Sequence, residues 1–416
     1  MAVTYSDLLK KYNHFRRPAL EVEVDGNVFS EDGKSRIAIS DVTIDLSAGF
    51  EASQAVFTLY NVYDQAATSF NFKSAKKYIL LGSVVKLYLG YDKSGPMVFA
   101  GVITKVNFIY EQGEIPGIQV TAMDVKAVMM ANSCSKQLTA KTYGDAVKEI
   151  FNQTVYENLK SDGAITELTI GSTPDGGAAG AAGALTGGAG GGAAAGAAGD
   201  TANATDKTIE MVGESDYEFV VKVAKKYNMD FFIHAGQVVL RTAKSDSSTL
   251  MEITNEASIQ YLNVEYDITS QVGLVEVRGL DAGKAKVLTG KAKNSNKLSQ
   301  GNKAKSLISN STYVYLDPSA TSTEEAQYRA KYIQEDRTYR LATLELTMVG
   351  IPELVPGRFI KLKGFGTGVD NNYYIQTLRH TLNSEGMFQT KIVGKAASVS
   401  SDIAGGGIPG AGSLPI

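Results

Sequence analysis

The sequence predicts a mainly β fold with α+β insertions: two related antiparallel β-barrel (tube) domains in one chain, plus peripheral α/β elements. Three observations carry this expectation. Runs of β-branched and aromatic residues with period-two alternation recur along the chain, punctuated by Gly, Asp-Gly and Gly-Pro turns. Helical periodicity is concentrated in a middle region and one later segment. Finally, Leu81–Met123 is echoed near the C-terminus by Val355–Val393.

The echo is specific in its turns and strand starts. Gly82-x-x-Val85-Lys86-Leu87 answers Gly357-x-x-Ile360-Lys361-Leu362, and an aromatic-led strand starts at Phe99 and at Tyr374, 17 residues beyond the glycine in each copy. Ile118–Met123 after Gly117 is matched by Met387–Val393 after Gly386. A weaker echo relates Val42–Leu59 to Asn263–Val277, which share Ser-Gln ahead of an apolar strand. A repeat of such long period predicts two similar domains, not a solenoid of short units.

Taken in order, Thr4–Asn13 is predicted as a short amphipathic helix, with Leu8, Leu9 and Tyr12 on one side and Pro18 ending it. Strands follow at Leu20–Val24, Ile37–Leu46, Ala55–Tyr60, Val84–Leu89, Met97–Tyr110 and Ile118–Met123, enough for one barrel or sandwich. After Asn132 the pattern turns helical. Thr142 with Asp145 caps a helix whose buried face is Ala146, Val147, Ile150 and Phe151. Ser215-Asp216-Tyr217-Glu218 is a capping box ahead of a second helix, and strands Asp230–His234 and Gln237–Arg241 flank a turn at Ala235-Gly236. Between those helices lies Gly171–Asp206, a Gly/Ala tract predicted to be a mobile tether because it has too little apolar surface to offset its ordering entropy.

Ser258–Asp281 returns to strands and is read as opening the second barrel. Ala282–Tyr315 interrupts it with seven lysines and no acid, and Ser322 with Glu325 caps a helix over Glu324–Arg337 that turns Ala326, Ala330 and Ile333 inward. The barrel resumes at Leu341–Val349. The predicted organisation is therefore an N-terminal helix over 1–18, a first β-barrel over 19–132 and an α/β peripheral domain over 133–250 with its flexible insert at 171–206. A second barrel follows over 251–281 plus 338–395, holding a Lys-rich loop and helix insertion over 282–337, and an extended tail occupies 396–416.

Composition bounds the function. A formal net charge of −3 gives no global electrostatic case for nucleic acid or an anionic membrane. The single cysteine, Cys134, rules out a disulfide framework within the chain. The N-terminus has no secretory-signal pattern, and no apolar run reaches the ~18–20 residues of a membrane span. The expectation is a protein assembled in a reducing cytoplasm, without a signal peptide, that does not insert in membranes.

Several landmarks occur in a telling order: Leu81-Gly82, Val98-Phe99-Ala100-Gly101-Val102-Ile103, Ser215-Asp216-Tyr217-Glu218-Phe219-Val220, Val277-Arg278-Gly279-Leu280-Asp281, and Gly350-Ile351-Pro352-Glu353-Leu354-Val355-Pro356-Gly357 followed by Tyr374-Ile375 and His380. In this order and spacing the chain resembles the late-control-D family of baseplate hub proteins in contractile phage tails, which is similar to the hub half of VgrG spikes in type VI secretion. The resemblance implies a homotrimer whose two barrels per chain alternate in a pseudo-sixfold ring. That ring is a symmetry adapter, joining a hexameric inner tube protein to a trimeric spike protein, with other baseplate proteins and a tape-measure protein or cargo as further partners. VgrG chains continue into further spike domains; here the sequence ends at Ile416, so the expected spike is a separate protein, with the tail from Ser398 reaching it. The resemblance implies residence in a phage tail or an extracellular or cell-attached contractile particle.

No catalytic, cofactor or metal residues are predicted. His14, His234 and His380 are scattered, and no HExxH, Gly-x-Ser-x-Gly or phosphate-loop pattern is present. Gly364–Gly368 reads as a hairpin loop, and the carboxylates Glu353 with Asp370 or Asp64 with Glu51 have nothing in sequence to bring them together as a glycosidase dyad. Lys284–Lys305 is either a solvated loop or a contact to DNA phosphates or an acidic baseplate neighbour. The alternative function is a two-domain β-rich carbohydrate-binding or adhesion protein, with the tyrosines of Asn371–Tyr374 as its stacking surface; the lack of Trp speaks against it.

Overall fold

The computed structural model describes residues 3–29, 37–176, 208–281, 284–294 and 301–399. Most of the Gly/Ala tract, Lys297 and the tail from residue 400 lie outside the described residues. The chain divides into two compact units, one of Pro18–Asp246 with Thr381–Met387, the other of Met1–Arg17, Ser247–His380 and Phe388–Ile416. They are called here the N-terminal and C-terminal units.

The first residues belong to the C-terminal unit. Strand β1 (Val3–Thr4) runs parallel to Met251–Glu252, and helix α1 (Tyr5–Lys11) begins at a capping box between Thr4 and Asp7. Leu8 and Tyr12 are buried as predicted, together with Tyr5 in place of Leu9. Pro18 does not end this helix. The chain leaves it at Lys11, turns through Asn13, His14 and Phe15 at positive φ, and uses Pro18 to open the next strand.

The N-terminal unit contains β2 (Pro18–Val24), β3 (Asn27–Val28), β4 (Ala38–Ser47), β5 (Gln54–Tyr60), the small hairpin β6 (Tyr63–Asp64) and β7 (Ser69–Phe70), the short helix α2 (Phe72–Ala75), β8 (Val84–Tyr91), β9 (Met97–Ile109) and β10 (Gly117–Met123). Its main sheet has the order β3-β2-β8-β9-β10-β5-β4 and is antiparallel at every pairing. Alternation decides which face is buried: Val42, Ile44 and Leu46 on β4, Phe57 and Leu59 on β5, and Ile118 and Val120 on β10 are all enclosed. Each such side chain contributes about 1.5–3 kcal/mol of apolar burial.

A smaller α/β region follows in the same unit. It contains α3 (Lys126–Met130), β11 (Cys134–Leu138), α4 (Tyr143–Phe151), α5 (Thr154–Ser161), β12 (Glu167–Ile170), β13 (Ile209–Glu214), α6 (Asp216–Tyr227), β14 (Met229–His234) and β15 (Gln237–Thr242). β11 pairs with β13, while β12-β15-β14 makes a second small sheet. The predicted caps are present at Thr142 and Ser215. Ala235 and Gly236 both have positive φ, the geometry of a two-residue hairpin turn whose twist suits the flanking strands. Periodicity missed α5, β11, β12 and β13: each is short and half-exposed, so its apolar pattern is thin.

The C-terminal unit continues with β16 (Thr249–Thr254), β17 (Ile259–Tyr266), β18 (Leu274–Asp281), β19 (Lys286–Lys293), α7 (Gly301–Ile308), β20 (Thr312–Leu316), α8 (Thr323–Thr338), β21 (Ala342–Val349), β22 (Phe359–Lys363), β23 (Asn372–Leu382) and β24 (Phe388–Ala396). Its main sheet has the order β1-β16-β22-β23-β24-β21-β17. Setting β2, β4, β5, β8, β9 and β10 against β16, β17, β21, β22, β23 and β24 gives the same chain order and the same spatial order. The turns agree as well. Gly82 and Gly357 both have positive φ; the Gly82 N–H donates to Ile103 O and the Gly357 N–H to Ile375 O, each at 2.9 Å.

The structure corrects four details of the sequence reading. The equal spacing of Phe99 and Tyr374 is not structural equivalence: Ile103 and Ile375 are the matched residues, because the first hairpin is three residues longer. The weaker echo fails in its second half, since Gln54 starts a main-sheet strand whereas Gln271 leads to β18, which pairs with β19 and β20 in a separate three-stranded sheet. The second sheet is not wholly antiparallel, because β16 runs parallel to both β1 and β22; the long chain between β16 and β22 supplies the crossover that parallel pairing needs. Finally, the described lysines are not held in a loop alone, since Lys286, Lys291 and Lys293 lie on β19 and Lys303 and Lys305 on α7. Leu288 and Ala292 alternate with exposed Lys291 and Lys293 along β19, and α8 packs over the inward face.

The insertion has its own core of Val275, Val277, Ala292, Ala320, Ala326 and Ala330. Asp267 N–H donates to Leu341 O at 2.9 Å, and Tyr266 pairs with Ala342. The insertion therefore leaves and re-enters at the closed end of the β17–β21 hairpin.

Candidate assembly interface

The side chains able to carry chemistry are dispersed into structural tasks. His380 is buried on β23 with its Nδ1 2.8 Å from Thr390 Oγ1, and His14 lies exposed in the turn after α1. His234 ends β14, where burial of its ring pushes its pKa down to about 4. Glu353 accepts from Lys11 at 2.6 Å and from the Tyr12 hydroxyl, anchoring α1. Asp370 accepts the N–H groups of Gly364 and Phe365 and so closes the glycine-rich hairpin loop, while Asp64 and Glu51 hold separate local turns. Among the described residues no three His, Cys, Asp or Glu gather closely enough to hold a metal ion.

The roles of three buried charged residues of the N-terminal unit, Asp216, Lys126 and Asp124, escaped the sequence reading. Asp216, the first residue of α6, is fully buried and accepts from the Tyr156 hydroxyl at 2.7 Å, with the amides of Asn132 and Gln153 at 3.4 Å and Lys136 Nζ at 3.8 Å. The helix N-terminus adds a favourable field. Burial and the hydrogen bond to Asp216 push the Tyr156 hydroxyl strongly up. Lys126 is equally buried; its ammonium donates to Gly49 O at 3.0 Å and Glu51 O at 2.8 Å, above the Phe231 ring. Nearby Asp124 accepts the N–H groups of Ser53 and Lys126 at 2.8 and 2.9 Å. Burial pushes Lys126 down and Asp124 up, each opposed by the other's charge. Lys126 and Asp124 fasten the α/β region to the β4–β5 turn, while Asp216 ties segments of the α/β region to one another. Their only sequence signal was the Ser-Asp-Tyr-Glu motif, of which the cap accounts for Ser215 and Glu218 alone.

What remains exposed is apolar and edge-like. In the N-terminal unit Phe108, Tyr110 and Ile115 stand at the β9–β10 end, where Phe70 lies 5.2 Å edge-on from Phe108 and Tyr63 lies 5.2 Å from Tyr110. In the C-terminal unit the sheet face opposite α8 exposes Leu280, Val287, Val314 and Leu316. On that face Glu276 holds Arg278 at 2.6 Å and Lys291 at 3.3 Å, so part of the lysine charge is already neutralised. The tyrosines proposed for sugar stacking are not available: Tyr373 and Tyr374 are both buried.

The comparisons with known proteins agree with this architecture. A tail protein from Neisseria meningitidis superposes with a TM-score of 0.62 at 14% identity, covering 93% of this chain and 99% of its own. The 43 kDa tail protein of prophage MuSo2 from Shewanella oneidensis gives 0.58 at 12% identity, covering 93% and 99%. An E. coli component of the type VI secretion system, described as structurally similar to bacteriophage T4 tail proteins, gives 0.50 at 9% identity, covering 90% and 76%. The chain has the fold of these tail proteins. A family model described as the Alg8 N-terminal domain matches residues 196–384, less than half of the chain and cutting across both compact units. No curated protein matches the sequence.

Proposed function

We propose that this chain is a structural baseplate hub of a contractile tail or injection particle, acting as a homotrimer. The observation that carries this reading is a set of six strands that occurs twice in one chain, in the same chain order and the same spatial order. Three copies would offer six similar sheets to a sixfold inner tube while keeping threefold symmetry toward a spike, which is what a symmetry adapter requires. The shared fold with two tail proteins and a secretion component supports the same reading. The spike, the inner tube protein, other baseplate proteins and a tape-measure protein or cargo are its proposed partners.

The mechanism is mechanical. Lys126 and Asp124 hold the α/β region on its sheet and Asp216 braces that region internally, and the exposed apolar residues at β9–β10 and on the β18–β20 sheet supply contact area to neighbours. The lysines of β19, Lys286, Lys291 and Lys293, favour an acidic protein neighbour over a stacked nucleic acid, because no exposed aromatic ring interleaves with them on that strand. Light scattering of the purified chain, alone and with candidate spike proteins, tests the reading. A mass of three chains supports it; a monomer under both conditions refutes it.

A further inference from the structure

We propose that the far half of β9 takes β17 of a second copy of this chain as an antiparallel strand, with Lys105 opposite Glu265, Asn107 opposite Asn263 and Ile109 opposite Tyr261. This rests on the trimeric reading and names the surface through which copies meet.

β8 pairs with β9 only from Met97 to Val102, whereas β10 pairs along its whole second half to Ile109. The register shifts at Thr104, a bulge that re-aims the strand as it leaves β8. Beyond it, Lys105–Ile109 has one partner strand and, among the described residues of its unit, an open edge. Val106 and Phe108 lie opposite Val120 and Ile118 and so point toward the core side. Yet Phe108 is 44% exposed while Ile118 is 0%. A core-facing side chain left wet where a ladder stops is the mark of a missing neighbouring strand.

β17 shows the converse. Its only partner within its unit is β21, and after the irregularity at Gln260 it is regular from Tyr261 to Tyr266. Leu262 and Val264 face the core side opposite Leu346 and Leu344, which are fully buried, but are themselves only half-buried. An edge of this length with unpaired backbone groups is a ready template for strand addition.

The two edges fit in one register. Antiparallel pairing that sets Lys105 against Glu265 also places Val106 beside Val264 and Phe108 beside Leu262 on the core side. It leaves Asn107 with Asn263 and Ile109 with Tyr261 on the outer side. A slip of one residue turns the apolar pairs to the wrong face. A parallel arrangement sets Glu265 against Ile109 and loses the charge pair. Because each copy carries one edge of each kind, the contact is heterologous and closes into a ring when its rotation permits.

The test uses the full chain with Cys134→Ser, carrying Asn107→Cys, Asn263→Cys or both, oxidised with diamide. Both asparagines are exposed and polar. The double variant is expected to give covalent species ending at three chains, a mixture of the two single variants covalent dimers only, and each single variant alone none. A three-chain mass by light scattering without these cross-links overturns the strand pairing and leaves the trimeric reading standing. A monomer mass at all concentrations up to hundreds of micromolar, both alone and with candidate spike proteins, overturns both. Cross-linking of a single variant with itself also overturns the pairing, since it demands a twofold contact. As a check independent of cysteine, Lys105→Glu should weaken association by about tenfold, and combining it with Glu265→Lys should restore it; equal weakening in the combined variant counts against the register.

Discussion

Asp216 illustrates how much a single side chain decides in the N-terminal unit. Its carboxylate gathers Tyr156, Asn132, Gln153 and Lys136 from three different segments. Asp216→Ala leaves a buried hydroxyl without its acceptor, so we expect a loss of about 2–4 kcal/mol in urea unfolding; a change below 0.5 kcal/mol would contradict the anchor role. His234 makes a pH-dependent contribution of opposite origin. Burial holds its folded pKa near 4, below the ordinary value of 6.5. The unfolded chain therefore takes up the proton first, and stability present above pH 6.5 is lost as the pH falls toward 4. The loss is on the order of 1–3 kcal/mol. His234→Asn should flatten the stability profile in that window, and an unchanged slope would assign the pH dependence to other groups.

At the level of elements, the insertion depends on close approach between α8 and β19. A Cβ on Gly290 would lie 2.1 Å from the backbone carbon of Ala326. Gly290→Ala must push the helix off the sheet, at a cost of about 1–3 kcal/mol. Amide exchange should then rise in β18–β20 and α8 while β21–β24 keep their protection, because the insertion has its own core. Uniform loss of protection would show that insertion and main sheet unfold together. The elements best legible in the sequence were those with a cap and a full apolar stripe: Thr142 with α4 and Ser215 with α6 begin where the capping residues say. Most of Thr249–Thr254 falls inside the predicted second barrel, but its pairing was not legible because its parallel partner, Phe359–Lys363, lies about a hundred residues away. The lysine run was read as a loop because charge was weighed above the alternation of Val287 through Lys293.

For the whole molecule, the decisive feature is one strand plan used twice in a single chain, with different material hung on each copy. The second copy carries its insertion at the end of the β17–β21 hairpin, where Tyr266 and Ala342 pair directly. Replacing residues 268–340 with Asn-Gly should therefore leave the C-terminal unit's main sheet folded, with its stability changed by less than about 2 kcal/mol. Circular dichroism and amide exchange of β21 and β24 would detect the opposite result. By itself, the sequence determined the mainly β class, the caps, most strand positions and the existence of the repeat, since these depend on local periodicity and on glycines that must adopt positive φ, such as Gly82 and Gly357. Only the tertiary structure decided that β18 leaves the second sheet, that β16 runs parallel and that, among the described residues of their units, the far half of β9 and β17 each pair with a single strand. A period-two pattern specifies which face of a strand is buried but not which strand lies beside it. That choice is made by hydrogen bonds and packing between residues far apart in the chain.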